Sequence, residues 1–212
     1  MICATATPQT NTRLLALGDS YTIGEGVADS DRWPMQLANA LRREHTIDAP
    51  EILAKTGWTA DELADAMRRH TFHPPYALVT LLIGVNDQYR ERDIQNYRDQ
   101  FSKLLRRAIE FSGQRPQRVI VVSIPDWGVT RFGRESGRDV TKIARDIDLY
   151  NVANAQISQS QRAHHVDVTA LSRIGGDAAD MLVGDGLHPS AAMYRRWVEA
   201  ILPVAQRALS SH

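Results

Sequence analysis

The stretch "LLALGDSYTIGEG", Leu14 to Gly26, decides the architecture. It opens as a short apolar run without the alternation of a half-exposed strand, which suits a strand buried on both faces. It breaks at Gly18, and an acid, a hydroxyl and further glycines follow. Three readings of that break are open: a nucleophile at Ser20, a plain turn after a strand, or a glycine loop that holds a phosphate.

Four further apolar runs are of the same kind: "PEILAK" (50–55), "YALVTLLIG" (76–84), "QRVIVVSIP" (117–125) and "HVDVT" (165–169). With "RLLALG" (13–18) they make five expected strands. Helical patterns lie between them at 33–45, 59–70, 93–112 and 143–161, and a last one closes the chain at 189–209. In the third, Ile94, Tyr97, Phe101, Leu104, Leu105, Ala108 and Ile109 form one apolar stripe. Strand alternating with helix predicts a parallel sheet covered on both faces. Right-handed crossovers then give an α/β, three-layer αβα sandwich. We expect a single domain over 13–212 and a frayed N-terminus over 1–12. The segment 126–141, "DWGVTRFGRESGRDVT", breaks the alternation and is long for a strand-to-helix loop, the kind of loop that often carries function.

Bulk composition narrows the function classes. The chain has 212 residues, enough for one well-buried core. It carries 25 basic and 25 acidic residues, so no global surplus asks for nucleic acid or an anionic membrane. Its one cysteine, Cys3, excludes an intramolecular disulfide. No run approaches the ~18 apolar residues of a membrane span. The N-terminal residues lack the pattern of a signal peptide. The expected location is the cytoplasm as the sequence stands, and the periplasm or outside where a signal peptide has been removed.

In open parallel sheets ligands bind beyond the carboxyl ends of the strands. There this chain places "GDSYT" (18–22), "TGWT" (56–59), "GVND" (84–87), "PDWG" (125–128) and, before the last helix, "DGLHP" (185–189). Together they supply a serine, a histidine, an acid, glycine amides and an asparagine. A serine hydroxyl needs an adjacent base to become a nucleophile, histidine is the side chain best suited to that task, and an acid behind it steadies the imidazolium. Glycine and asparagine amides can hold an oxyanion. In "DGLHP", Pro189 restricts His188 to extended backbone and suits a helix start. Asp185, three residues earlier, can then reach the near ring nitrogen. "GDSYTIGEG" lacks the Gly-Lys-Ser/Thr ending of a phosphate loop and the G-x-G-x-x-G spacing.

These blocks resemble those of the SGNH hydrolases, also called GDSL esterases and lipases. "GDSYT" matches the first block, Gly57 the glycine of the second, "GVND" the third and "DGLHP" the fifth, in the family's order over most of the chain. The resemblance implies a flavodoxin-like fold with a five-stranded parallel sheet. It implies a Ser20–His188–Asp185 triad and an oxyanion hole made by the Ser20 and Gly57 amides and the Asn86 side chain. It implies a small-molecule ester or thioester substrate and no metal or organic cofactor. Family members act on aryl esters, acyl-CoA, lysophospholipids and acetylated sugars, so the family leaves the substrate open. Short-chain acyl or aryl esters lead; thioesters, lysophospholipids and acetylated sugars follow, and a non-catalytic binder on the same fold comes last.

Tyr21, Trp58, Tyr89, Trp127 and Leu187 flank the blocks and are candidates for an acyl pocket, since such sites are mostly apolar. Asp19 is expected to brace the turn by local hydrogen bonds. Arg131, Arg134 and Arg138 in the long loop could meet an anionic substrate such as the phosphates of CoA. His164–His165 and His70-x-x-His73 have no cysteine or acid spacing that would make a metal site.

Overall fold

The computed structural model describes residues 12–176, 178 and 180–210. The expectations for residues 1–11, Cys3 included, lie outside the described residues. Thr12, grouped with them above, instead pairs with Ile47 in an isolated bridge.

Five strands form one parallel sheet: β1 (Leu14–Gly18), β2 (Glu51–Ala54), β3 (Leu78–Leu82), β4 (Val119–Val122) and β5 (His164–Val166). Their order is β2-β1-β3-β4-β5, that of flavodoxin-like doubly wound sheets. The three central strands are buried along their whole length, which is why their sequences run apolar without alternation. The helices are α1 (Ser20–Ile23), α2 (Trp33–Leu41), α3 (Ala60–Arg69), α4 (Val85–Tyr89), α5 (Ile94–Phe111), α6 (Arg131–Glu135), α7 (Val140–Ser160), α8 (Thr169–Gly175) and α9 (Ala191–Ser210). α2 and α9 pack together over one face of the sheet, and α3, α5 and α7 cover the other. The result is the three-layer α/β sandwich that the alternating pattern predicts.

Local chemistry explains the helix ends. Asp93 caps α5 by accepting from the Asn96 N–H (2.8 Å), a typical N-cap contact. The stripe of α5 turns Tyr97, Phe101, Leu104, Leu105 and Ala108 into the core, while Ile94 and Ile109 stay partly buried at its edge. α8 has no counterpart in the sequence pattern, in which the fifth strand is expected over 165–169; the strand ends at Val166 and Thr169 opens α8. Here the Asp167 carboxylate accepts from the Thr169 N–H (2.8 Å), and Ser123 Oγ accepts from the Val168 and Thr169 amides (2.8 and 3.1 Å). Ser123 lies more than forty residues away in sequence, so the turn that ends β5 joins a local Asp167 bond to a tertiary contact.

The chain leaves β1 toward β2 on one side and later returns to add β3 on the other. β1 and β3 therefore flank the topological switch point, where a crevice opens at the carboxyl edge. Gly18 and Leu82 stand opposite each other at that edge. A Cβ on Gly18 would clash with the Thr22 hydroxyl and lie 2.5 Å from the Leu82 carbonyl oxygen. Gly18 is thus required by close backbone approach, because neither obstacle is the free end of a flexible side chain. Gly18→Ala should cost about 2–3 kcal/mol, the upper range for overpacking. In a chain of this size that is a fall of about 5–10 °C in thermal midpoint, measurable by circular dichroism; an unchanged midpoint would show that the turn has room for a methyl.

Candidate active site

Ser20 is the first residue of α1, directly beyond β1. Asp19 caps that helix, its Oδ1 accepting from the Tyr21 N–H (3.0 Å). Gly24 ends it in the left-handed conformation, with its N–H on the Ser20 carbonyl (3.0 Å). The single turn of helix thereby holds Ser20 at the crevice with its side chain nearly buried.

The late loop is organised by one carboxylate. Asp185 Oδ1 accepts from the Leu187 and His188 backbone amides (2.8 and 3.0 Å), and Asp185 Oδ2 meets His188 Nδ1 at 2.6 Å. Burial works against the Asp185 charge, but the His188 ring and the two amides outweigh it and hold its carboxyl below the usual range. Such a carboxylate fixes the ring and its tautomer, leaving Nε2 as the free nitrogen. The long segment 126–141 braces this loop: Phe132 N–H donates to the Gly186 carbonyl (3.0 Å), and Arg131 Nη2 to the Gly184 carbonyl (2.8 Å). Ser190, not Pro189, sits before α9, its Oγ accepting from the Ala192 and Met193 amides.

A third element comes from two strand ends tied to each other. Asn86, the second residue of α4, donates from Nδ2 to the Trp58 carbonyl (2.9 Å), leaving its other N–H available. Asp87 beside it is buried, and its Oδ2 accepts from the Ala60 N–H at the start of α3 (2.9 Å). Arg90 Nη2 donates to the Gly57 carbonyl (2.7 Å). Gly57 has φ +84°, a conformation costly for other residues. The space around its Cα is otherwise open, with only Arg90 Nη2 near a notional Cβ. The loop after β2 and the helix after β3 are thus stapled by three hydrogen bonds.

Ser20, Gly57, Asn86 and His188 all line one cavity of about 160 Å³. Its remaining walls are mostly apolar. Tyr21, Tyr89, Trp127 and Leu187 contribute to it. Trp58 does not: its ring packs against the core, and it meets the site only through its carbonyl. Thr56, Val85 and Phe132 line the cavity without having been singled out. Val85 and Thr56 adjoin the blocks and could have been included on that ground. Phe132 lies in the irregular segment and carried no pattern. Of the loop arginines, Arg131 is engaged with Gly184, and Arg138 lies over the Tyr89 ring with its Nη1 on the Tyr89 carbonyl (2.8 Å). His70 bonds Glu51 (2.8 Å) and His164–His165 belong to β5, each remote from this cavity's lining.

The family model for the GDSL-like lipase/acylhydrolase family matches residues 16–196. Among solved structures, that of TesA is 20% identical, with a TM-score of 0.72 over 93% of this chain and all of that one. The psychrotrophic esterase EstA from Pseudoalteromonas sp. is 17% identical (TM-score 0.66; 95% of this chain and 100% of that one). Phospholipase A1 from Streptomyces albidoflavus is also 17% identical (TM-score 0.65; 94% and 100%). At these identities the likeness is one of fold. No curated protein matches by sequence.

Asp19 has a consequence for stability. It is fully buried, and burial pushes its carboxyl up to about 8, against the pull of the Tyr21 N–H and with the help of the nearby Asp87 charge. The folded protein therefore keeps a proton that the unfolded chain releases near pH 4. A carboxyl raised on folding stabilises below its unfolded pKa and loses that contribution as pH rises toward 8. Asp19→Asn keeps the cap acceptor and removes the titration. The variant should gain thermal stability relative to wild type steadily from pH 5 to 8. A difference between the two that stays constant over that window would mean that Asp19 is ionised in the folded protein throughout.

Proposed function

The chain belongs to the GDSL-like lipase/acylhydrolase family and is a GDSL-type hydrolase; on that premise we propose that it cleaves carboxylic esters of short acyl or aryl acids through an acyl-enzyme. The observation that carries this reading is the 2.6 Å contact of Asp185 with His188 Nδ1, on a loop whose histidine shares one apolar cavity with Ser20.

Ser20 Oγ attacks the acyl carbon while His188 Nε2 takes its proton. Asp185, held by two backbone amides, keeps the proton on Nδ1 and stabilises the imidazolium. The carbonyl oxygen becomes an oxyanion, received by the Ser20 and Gly57 amides and the free N–H of Asn86. These donors need little reorganisation because the Trp58 carbonyl, Ala60 amide and Gly57 carbonyl are already tied to α4 and its following residue Arg90, and preorganised donors are the larger part of such catalysis. Collapse of the tetrahedral species expels the alcohol, protonated by His188. Water, deprotonated by the same ring, then releases the acid and restores Ser20.

Acyl size follows from the cavity. Its volume of about 160 Å³ is of the order of the ~150 Å³ that holds benzene in an enclosed apolar cavity, but this cavity opens to solvent at the catalytic side. That favours an acyl group of a few carbons or one aromatic ring. The similar structures include an esterase and a phospholipase, and the cavity size favours the former kind of substrate.

Wild type should hydrolyse p-nitrophenyl butyrate and take up a fluorophosphonate at Ser20, and Ser20→Ala should do neither. Equal hydrolysis by both proteins would remove Ser20 from the chemistry. Asn86→Ala should lower kcat by about 10²–10³ with a smaller change in KM; an unchanged kcat would assign the oxyanion to the two backbone amides alone.

A further inference from the structure

Beside the apolar cavity lies a second, polar one of about 310 Å³, lined by Gln88, Arg138, Lys142, Ile143 and the carboxylates Glu91, Asp139 and Asp146. The two are linked through an aromatic pair of the first, which Gln88 and Arg138 of the second contact. Tyr89 and Trp127 line the first cavity and meet edge to face, their ring centres 5.3 Å apart. Trp127 is fixed: it is 1% exposed, and its indole N–H donates to Gln88 Oε1 (2.8 Å), a residue of the second cavity. Tyr89 is the loose half. It is 38% exposed, at the end of the short helix α4.

Arg138 holds that loose half from outside. Its guanidinium lies 4.1 Å from the Tyr89 ring centre and 5.8 Å from that of Trp127. Its Nη1 also donates to the Tyr89 carbonyl (2.8 Å). Arg138 lines the polar cavity and not the apolar one. A guanidinium can stack flat on a ring and bond a carbonyl with the same group, which an ammonium cannot match.

Resting on the ester-hydrolase reading above, we propose that Arg138 is the positioning residue that sets acyl-chain length, by clamping Tyr89 against Trp127 so that the acyl cavity stays closed toward its polar neighbour. With the clamp in place an acyl chain meets two rings at the end of a benzene-sized space. Without it Tyr89 can swing on its exposed side, and a longer chain gains room. The role is indirect, because Arg138 acts through Tyr89 and touches no reacting atom.

The test compares p-nitrophenyl butyrate with p-nitrophenyl decanoate in wild type, Arg138→Ala, Arg138→Lys, Tyr89→Ala and the double variant Arg138→Ala/Tyr89→Ala. The decanoate-to-butyrate ratio of kcat/KM should rise about five-fold in Arg138→Ala, the upper weight of one exposed cation–π contact. The rise should come from KM for decanoate. Arg138→Lys should fall between. In the Tyr89→Ala background, loss of Arg138 should change the ratio no further, as expected of residues that act as one unit. An unchanged ratio in an Arg138→Ala protein that still melts cooperatively overturns the proposal. So does an equal change for both esters, or an additive double variant. Binding of butanoate and decanoate to Ser20→Ala and Ser20→Ala/Arg138→Ala, measured by calorimetry, reads the same selectivity without turnover. The decanoate preference should again rise about five-fold, and an unchanged preference counts against the clamp even if Ser20 proves not to be the nucleophile.

Discussion

The close parallel pairing of β1 with β3 is the constraint on which the rest depends. These two strands form the middle of the sheet, and their ladder ends with Gly18 opposite Leu82. The approach is so tight that no side chain fits at Gly18. One residue later the chain must turn into α1, and two residues beyond the end of β3 it reaches Gly84 and turns into α4. Ser20 and Asn86 are therefore brought to one crevice by backbone geometry before any side-chain contact is made. The position is a general property of a doubly wound sheet at its switch point; the sequence supplies the serine and asparagine placed there.

Rigidity at the site comes from two carboxylates and a guanidinium that do not themselves line the cavity. Asp87 ties α4 to the first amide of α3, and Arg90 ties the residue after α4 to the Gly57 carbonyl. Asp185 spends one oxygen on two backbone amides and the other on the histidine ring. Each of these charged groups bonds backbone, Asp185 the His188 ring as well, and charge-assisted bonds are strong for their kind. The segment 126–141 completes the frame. It packs on the Asp185–His188 loop through Arg131 and Phe132, and it presents Trp127 to the cavity.

Much of this was legible without coordinates. The three central strands follow from apolar runs that do not alternate, because a central parallel strand has no solvent face; the edge strands β2 and β5 are only partly buried. The five long helices follow from periodicity or from their polar flanks. Strand ends identified Ser20, Gly57, Asn86 and His188, which line one cavity. The local placements that failed did so for a common reason. Thr169 is pulled into a helix by Ser123, and the ring of Trp58 is drawn into the core while only its carbonyl faces the site. Phe132 enters the cavity from a segment with no period. Ser123 and the residues that meet Phe132 in the cavity are distant in sequence and leave no pattern around the residue itself, while Asp167 adds a local bond at Thr169.

The amino-acid sequence by itself determined the parallel αβα architecture and the order in which serine, glycine, asparagine, acid and histidine reach its carboxyl edge. It could do so because burial on two faces and turn chemistry act over a few neighbouring residues. Only the tertiary structure decided how large the cavity beside Ser20 is and which side chains wall it. Arg138 lies 49 residues from the Tyr89 carbonyl it bonds, and the loop that seats Trp127 has no regular pattern. Stacking of a cation on a ring leaves no spacing rule along the chain, since it depends on where two separately anchored segments meet.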